Sequence, residues 1–180
     1  MPNVSAHIGA ALKVKEKLNI QDDIFIYGAI FPDIVDMNKT SSHFKEMGTF
    51  YLIPNLKYFR ENNDLSNPFY LGYYLHLYLD YYYLEDYLEN NCKGIDVFRN
   101  GIYKDYDIVN KDLIKHYNID PNYIESVLRK YSNEIISDRK LETNIRCLSI
   151  NKDGELKFLE TDKFISFIDR TISRFIKEKQ

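Results

Sequence analysis

Gly72-Tyr73-Tyr74-Leu75-His76-Leu77-Tyr78-Leu79-Asp80 is the stretch that decides how this chain is read. Leu71, Leu75 and Leu79 recur every four residues, and no Gly or Pro follows Gly72 up to position 88. That spacing predicts a helix over 69–88, extending to about Asn90. At about 3.6 residues per turn, positions four apart share one face. His76 and Asp80 therefore project together from a helix that is otherwise apolar and aromatic. A carboxylate in such a setting needs a cation or hydrogen bonds to offset its desolvation. A bound metal is one solution, since His and Asp are good ligands for zinc and similar ions. A buried His–Asp hydrogen bond without metal is the other.

The remaining histidines sharpen the choice. The chain has four, and His7, His43 and His76 lie in its first half within apolar or small-residue segments. His116 sits among polar residues, as a surface histidine does.

Bulk properties set the class. The 180 residues suffice for one domain with a real core, read as a single helical domain over 1–180. Apolar and charged contents of 44% and 28% are those of a globular protein. The unusual feature is 16 Tyr without Trp, and most of these are expected to fill the core. Net charge is −3 with no basic cluster, so no strong nucleic-acid signal is present. Cys92 and Cys147 are isolated, which suggests neither a disulfide framework nor a zinc ribbon. The first residues, Met1 to His7, lack a basic n-region and an apolar h-region. No transmembrane segment is expected, because the most apolar run, 69–84, carries Asp80. The expectation is a cytoplasmic protein.

Along the chain, Ser5 is the expected N-cap of a helix through Leu18. A second helix is expected from Ile24 to Phe31, ended by Pro32, with Asp33 in the turn. Residues 36–42 read as loop, His43 as lying near a short helix start, and a further helix as ending at Asn62. Helices are expected at 104–117 and 121–136, the latter opened by Asp120-Pro121. Asp153-Gly154 suggests a small β-hairpin near 148–158. A last helix at 161–178 carries an apolar stripe that includes Phe164, Ile168, Ile172 and Phe175. The fold class is all-α, a helical bundle with a metal site between helices.

The candidate ligands His7, Asp33, His43, His76 and Asp80 come from four separate elements, which fits a site inside a helix bundle. Singly, each has a plainer reading as a cap, turn or core residue. In the order His7, Gly28-Ala29-Ile30-Phe31-Pro32-Asp33-Ile34, Ser42-His43-Phe44 and Gly72-x3-His76-x3-Asp80, over about residues 5–90, the chain resembles the bacterial zinc-dependent phospholipase C family. That family is related to fungal zinc nucleases acting on single strands. The resemblance implies an all-α fold and hydrolysis of phosphate esters at a zinc cluster. It implies that Asp33, His43, His76 and Asp80 ligate one zinc, and that Asp80 bridges to a second held also by His7. In the family the chain's own N-terminal amine completes that second site. Here, loss of Met1 would leave Pro2 five residues before His7. A third zinc requires two more histidines and a carboxylate. His116-x3-Asp120 has family-like spacing, but Asp86 stands where a histidine is expected. The expectation is therefore one or two ions, zinc first, with manganese or iron as alternatives.

The function implied is a phosphoric-ester hydrolase of phospholipase C or phosphodiesterase type. It would use a metal-activated water, with Asp33 as the catalytic residue that orients or deprotonates it. Tyr73, Tyr83 and Tyr87 are candidates to line a pocket for a small phosphate ester or a lipid headgroup. The competing reading is a closed structural zinc, because Asp33, His43, His76 and Asp80 already number four ligands. An HD-type phosphohydrolase is disfavoured by the lack of an adjacent His-Asp pair.

Overall fold

A computed structural model describes residues 2–92 and 95–179. The helix read from the Gly72–Asp80 stretch is α5 (Pro68–Tyr82), and it is the centre of the molecule. Every residue from Gly72 to Asp80 is buried, so α5 is covered on all sides rather than along one stripe. It continues through a π-helical turn (Tyr83–Tyr87) into α6 (Leu88–Cys92), close to the expected end. Around it lie α1 (Val4–Lys17), α2 (Ile24–Ile34), α4 (Leu56–Asn62) and α10 (Thr161–Lys179). The short α3 (Lys39–Ser42) follows α2, and α7 (Ile102–His116), α8 (Pro121–Tyr131) and α9 (Asp138–Cys147) complete the bundle. Among the described residues the fold is all-α apart from one antiparallel hairpin, β1 (Lys45–Met47) with β2 (Leu52–Pro54). No helix among the described residues is long and apolar enough to cross a membrane. Cys92 and Cys147 are both free thiols.

The pivotal packing is α2 against α5. At Gly28 an added methyl would fall on the carbonyl oxygen of Phe69, and at Gly72 on that of Phe25. Each helix thus meets the other's backbone at a glycine, which only a residue without Cβ permits. Five helix starts share a common device. Asn3, Asn38, Asn55, Asn67 and Asp120 each accept a backbone N–H of the following first turn. Asp120 does so as expected. Ser5 does not cap α1. It lies inside the helix and bonds Asn110 Oδ1 on α7.

Four further expectations are corrected. Helix α2 runs through Pro32 to Ile34, because a proline this close to the end removes few bonds and Val35 N–H still reaches Phe31 O at 3.0 Å. Residues 36–42 contain α3, capped by Asn38. Helix α8 stops at Tyr131, and α9, which the sequence reading did not anticipate, follows. The hairpin expected near 148–158 is absent, and the segment is an ordered loop laid on α7. Its amides have other partners: Asp105 Oδ2 accepts from Lys157, Phe158 and Leu159 N–H at 3.0, 2.6 and 2.9 Å. Asn110 Nδ2 donates to the Cys147 and Ile150 carbonyls. Gly154 is not among the described residues with positive φ, so the turn that Asp-Gly favours does not form.

The helix-to-helix contact at the glycines yields a stability prediction. Gly72→Ala should cost about 1–3 kcal/mol, as overpacking against a rigid backbone does. Chemical denaturation is the check, and a midpoint equal to wild type would mean that α2 and α5 can part freely.

Candidate metal centre

His7, Asp33, His43, His76 and Asp80 are brought together. Four of the five side chains are fully buried, and Asp33 is 11% exposed. Helix α5 supplies His76 and Asp80 one turn apart, with His76 Nε2 3.6 Å from Asp80 Oδ2. The close approach of α2 sets the imidazole: His76 Nδ1 lies 2.8 Å from the Ala29 carbonyl, which can only accept. Nδ1 therefore carries the proton, and the neutral ring presents its Nε2 lone pair to the centre. One turn beyond Ala29 on α2, Asp33 reaches the same place.

His43 is at the C-terminal end of α3, not at a helix start. Its Nδ1 is 2.9 Å from Ser42 Oγ, and the Tyr73 hydroxyl on α5 donates to the Ser42 carbonyl. Phe44 then turns into the left-handed region and packs on Phe59 and Tyr73. The His43 Nε2 so positioned is 3.2 Å from His76 Nε2 and 3.6 Å from both Asp33 Oδ1 and Asp80 Oδ2. His7 comes from α1, whose small residues Ser5, Ala6, Gly9, Ala10 and Ala11 let that helix sink into the core. Its ring stacks on His76 with centroids 3.8 Å apart, and its Nε2 is 3.4 Å from Asp80 Oδ1.

The hydrogen-bond accounting points to a cation-binding centre. Both His7 ring nitrogens and both Asp80 oxygens are buried without a hydrogen-bond partner. Such groups are rare in folded proteins and ask for a specific explanation. Two overlapping sets of donor atoms lie within 4.8 Å of one another: His7, Asp33 and His76, and His43, His76 and Asp80. Nitrogen and oxygen donors of this kind suit a divalent zinc. The protonation states fit as well. Burial, helped by the neighbouring His7, lowers His76 to about 3, so the ring is neutral. Burial opposes ionisation of Asp80, but the facing His7 and the other imidazoles outweigh it and hold the carboxyl below its usual range. Asp33 is likewise held low against burial, by His43, His76 and Lys39. Neutral imidazoles and ionised carboxylates are the ligand forms of metal sites.

The other sequence candidates lie elsewhere. His116 is exposed and pairs with Asp169 at 3.2 Å, Asp120 caps α8, and Asp86 is exposed and bonds Asn90. Tyr73, Tyr83 and Tyr87 are buried core residues, not pocket walls. Tyr83 accepts from the Tyr106 hydroxyl at 2.6 Å, and Tyr87 packs on Phe164 and Phe167. Sequence reading missed the supporting groups Ala29, Ser42 and Lys39. Of these only Ser42, adjacent to His43, carried a local signal. Lys39 Nζ is 3.0 Å from Asp33 Oδ1. Asp33 also lines a cavity of about 1040 Å3, bounded by Pro2, Lys45, Tyr51 and Tyr103 among others. Met1, whose removal bears on the second zinc of the resemblance, lies outside the described residues.

Comparison with known proteins identifies the family. The sequence profile of the zinc dependent phospholipase C family matches residues 3–180, and the chain belongs to that family. The match covers nearly the whole chain, well beyond the 5–90 on which the motifs lie. The chain is also 25% identical over 200 residues to two proteins of Clostridium botulinum, strains Langeland and Kyoto, each named as a probable nicotinate-nucleotide adenylyltransferase. The alignments cover 93% of this chain and 90% of each relative. No solved structure matches.

The buried neutral ring predicts acid sensitivity of the metal-free protein. An unfolded histidine takes up a proton below about 6.5, whereas His76 in the fold stays neutral down to about 3. Protonation therefore favours the unfolded chain as pH falls through that window. Asp33 and Asp80, with lowered values, act in the same direction below about 4. Chelator-treated protein should lose on the order of 2 kcal/mol of stability between about pH 7 and 5. A flat profile by denaturant titration would show that the ring is not held neutral.

Proposed function

We propose that the chain is a zinc-dependent hydrolase of phosphoric esters, with its reaction centre at His7, Asp33, His43, His76 and Asp80. The observation that carries this reading is the buried, unpartnered Asp80 carboxylate among three imidazoles, beside a cavity that Asp33 also lines. A site meant only to hold the fold together has no need of a large adjoining cavity.

His43, His76, Asp80 and Asp33 would hold one ion. His76 has a single free lone pair, because Nδ1 is committed to Ala29, so it serves one ion only. Asp80 has two unpartnered oxygens, one facing His7 and the other facing His43 and His76. It is the residue able to bridge to a second ion, which His7 would share. Bound zinc supplies Lewis acidity toward a phosphoryl oxygen and acidifies water. The chain's own contribution is positioning and proton handling. Asp33, ionised and steadied by Lys39, stands where it can orient an attacking water and accept its proton. The phospholipase name of the family supports a lipid headgroup or a small phosphate ester as the substrate class. Nucleotide transfer, the activity in the names of the Clostridium relatives, is less well supported: the only sheet among the described residues is the β1–β2 hairpin, far from a mononucleotide-binding fold.

One observation favours the alternative of a closed structural zinc. His43 and His76 approach both carboxylates, Asp33 within 3.6 Å of His43 and Asp80 within 3.6 Å of both, which is a full set of four ligands. Metal content and turnover separate the two readings.

Protein purified without an affinity tag should contain one to two zinc ions per chain by elemental analysis, and His76→Ala should lose metal and melt earlier. Metal well below one per chain in wild type would count against both readings. Asp33→Asn should retain folding and lose at least about 100-fold in metal-dependent hydrolysis of an aryl phosphodiester, because the amide keeps the shape but not the basicity. Unaltered turnover in that variant would remove Asp33 from the reaction.

A further inference from the structure

The cavity beside the centre has a charge pattern that the centre does not account for. Five cationic side chains line it, Lys39, Lys45, Lys104, Arg139 and Lys140, against two carboxylates, Asp33 and Asp107. They come from α3, β1, α7 and α9, about a hundred residues apart in sequence at the extremes. One helix face turned to solvent would not produce this; convergence of separate elements does. It occurs in a chain whose net charge is −3.

Two of the cations have partners. Lys39 pairs with Asp33, and Lys140 donates to the carbonyls of Val35 and Met37 at 2.7 and 2.6 Å. Both lining carboxylates are also engaged, Asp33 by Lys39 and Asp107 by Lys152 at 2.8 Å. The side chains of Lys45, Lys104 and Arg139 form no hydrogen bond or ion pair among the described residues. Lys45 is half-buried, so its charge is less screened than that of an ordinary surface lysine. Another part of the wall is apolar. Tyr51 meets Phe98 edge-on at 5.8 Å, and Phe98 lies 6.2 Å from Tyr103. Phe50, Leu52 and Tyr103 are 52%, 45% and 62% exposed there.

Resting on the phosphoesterase reading, we propose that the cleft takes phosphate esters bearing a second anionic group, a phosphate or carboxylate, beside an apolar or planar portion. Lys45 and Arg139 receive the second anion, Lys104 adds to the field, and the Tyr51–Phe98–Tyr103 rings carry the apolar part. The reacting phosphate is left to the metal centre. A zwitterionic ester with a cationic headgroup would set like charges together and is disfavoured.

Calorimetric titration of zinc-loaded protein with two non-hydrolysable probes tests this. Benzylphosphonate has one acidic group, and 4-(phosphonomethyl)benzoate adds a carboxylate. The second should bind about tenfold more tightly, the worth of one charge-assisted contact. In the double variant Lys45→Gln/Arg139→Gln the preference should fall below about twofold, with zinc content as in wild type. Equal affinity for the two probes, or a preference kept in the double variant, overturns the subsite and leaves the phosphoesterase reading standing. Binding of neither probe to fully loaded protein overturns both. Cosedimentation with phosphatidylcholine vesicles, with and without phosphatidylserine, tells the sources apart. Retention only on the acidic vesicles, lost in the double variant, assigns the second anion to a lipid headgroup. Wild type left in the supernatant, with the probe preference intact, assigns it to a soluble ester.

Discussion

Everything at the centre depends on how closely α2 approaches α5. The two helices meet backbone to backbone at Gly28 and Gly72, where a side chain on either would strike a carbonyl of the other. That approach brings the Ala29 carbonyl to His76 Nδ1, and the bond decides which nitrogen of the ring faces inward. It also places Asp33, one turn past Ala29, beside His43. Tyr73 extends the same logic to a third element. Its hydroxyl holds the Ser42 carbonyl and so positions His43 at the end of a very short helix. A helix as short as α3 has little stability of its own, and it keeps its place through such bonds.

The centre is electrostatically expensive. Asp80 is fully buried with neither oxygen hydrogen-bonded, and His7 is buried with neither nitrogen bonded. An uncompensated buried carboxylate costs several kcal/mol even after the surroundings relax. The imidazoles around it offset part of that cost, and a divalent ion would offset the rest. Three of the tyrosines play the opposite part. Tyr73, Tyr83 and Tyr106 are buried with their hydroxyls paired, so they add apolar area without leaving orphaned oxygens.

Much of this was readable in the chain. The leucines at 71, 75 and 79 showed the central helix, and the stripe Phe164, Ile168, Ile172 and Phe175 showed the last one. Both are long periodic signals, which local sequence carries well. The failures are short or conditional elements. Pro32 suggests a helix end, yet α2 continues for two residues, since a proline's effect depends on how many bonds remain to be lost. Asp153-Gly154 suggests a hairpin turn, yet Asp105 and Asn110 claim the backbone groups of the segment around it. No local pattern reveals a competitor some fifty residues away. Helix α9 has only Leu141 fully buried, too thin a stripe to stand out from its polar surroundings.

The sequence by itself determined the helical class, the central aromatic helix and the group His7, Asp33, His43, His76 and Asp80. These rest on residue type and spacing, and a helix's period is a local property of the chain. Only the tertiary structure decided that the five side chains converge, that Asp80 is left with two orphaned oxygens, and that His116 and Asp120 stand apart. It alone also decided that the cations of α3, β1, α7 and α9 gather around one cavity in an acidic protein. The physical reason is that ligation, desolvation and field strength depend on distances across the core. Those distances are set by the packing of helices far apart in sequence, here by two glycines where backbones touch.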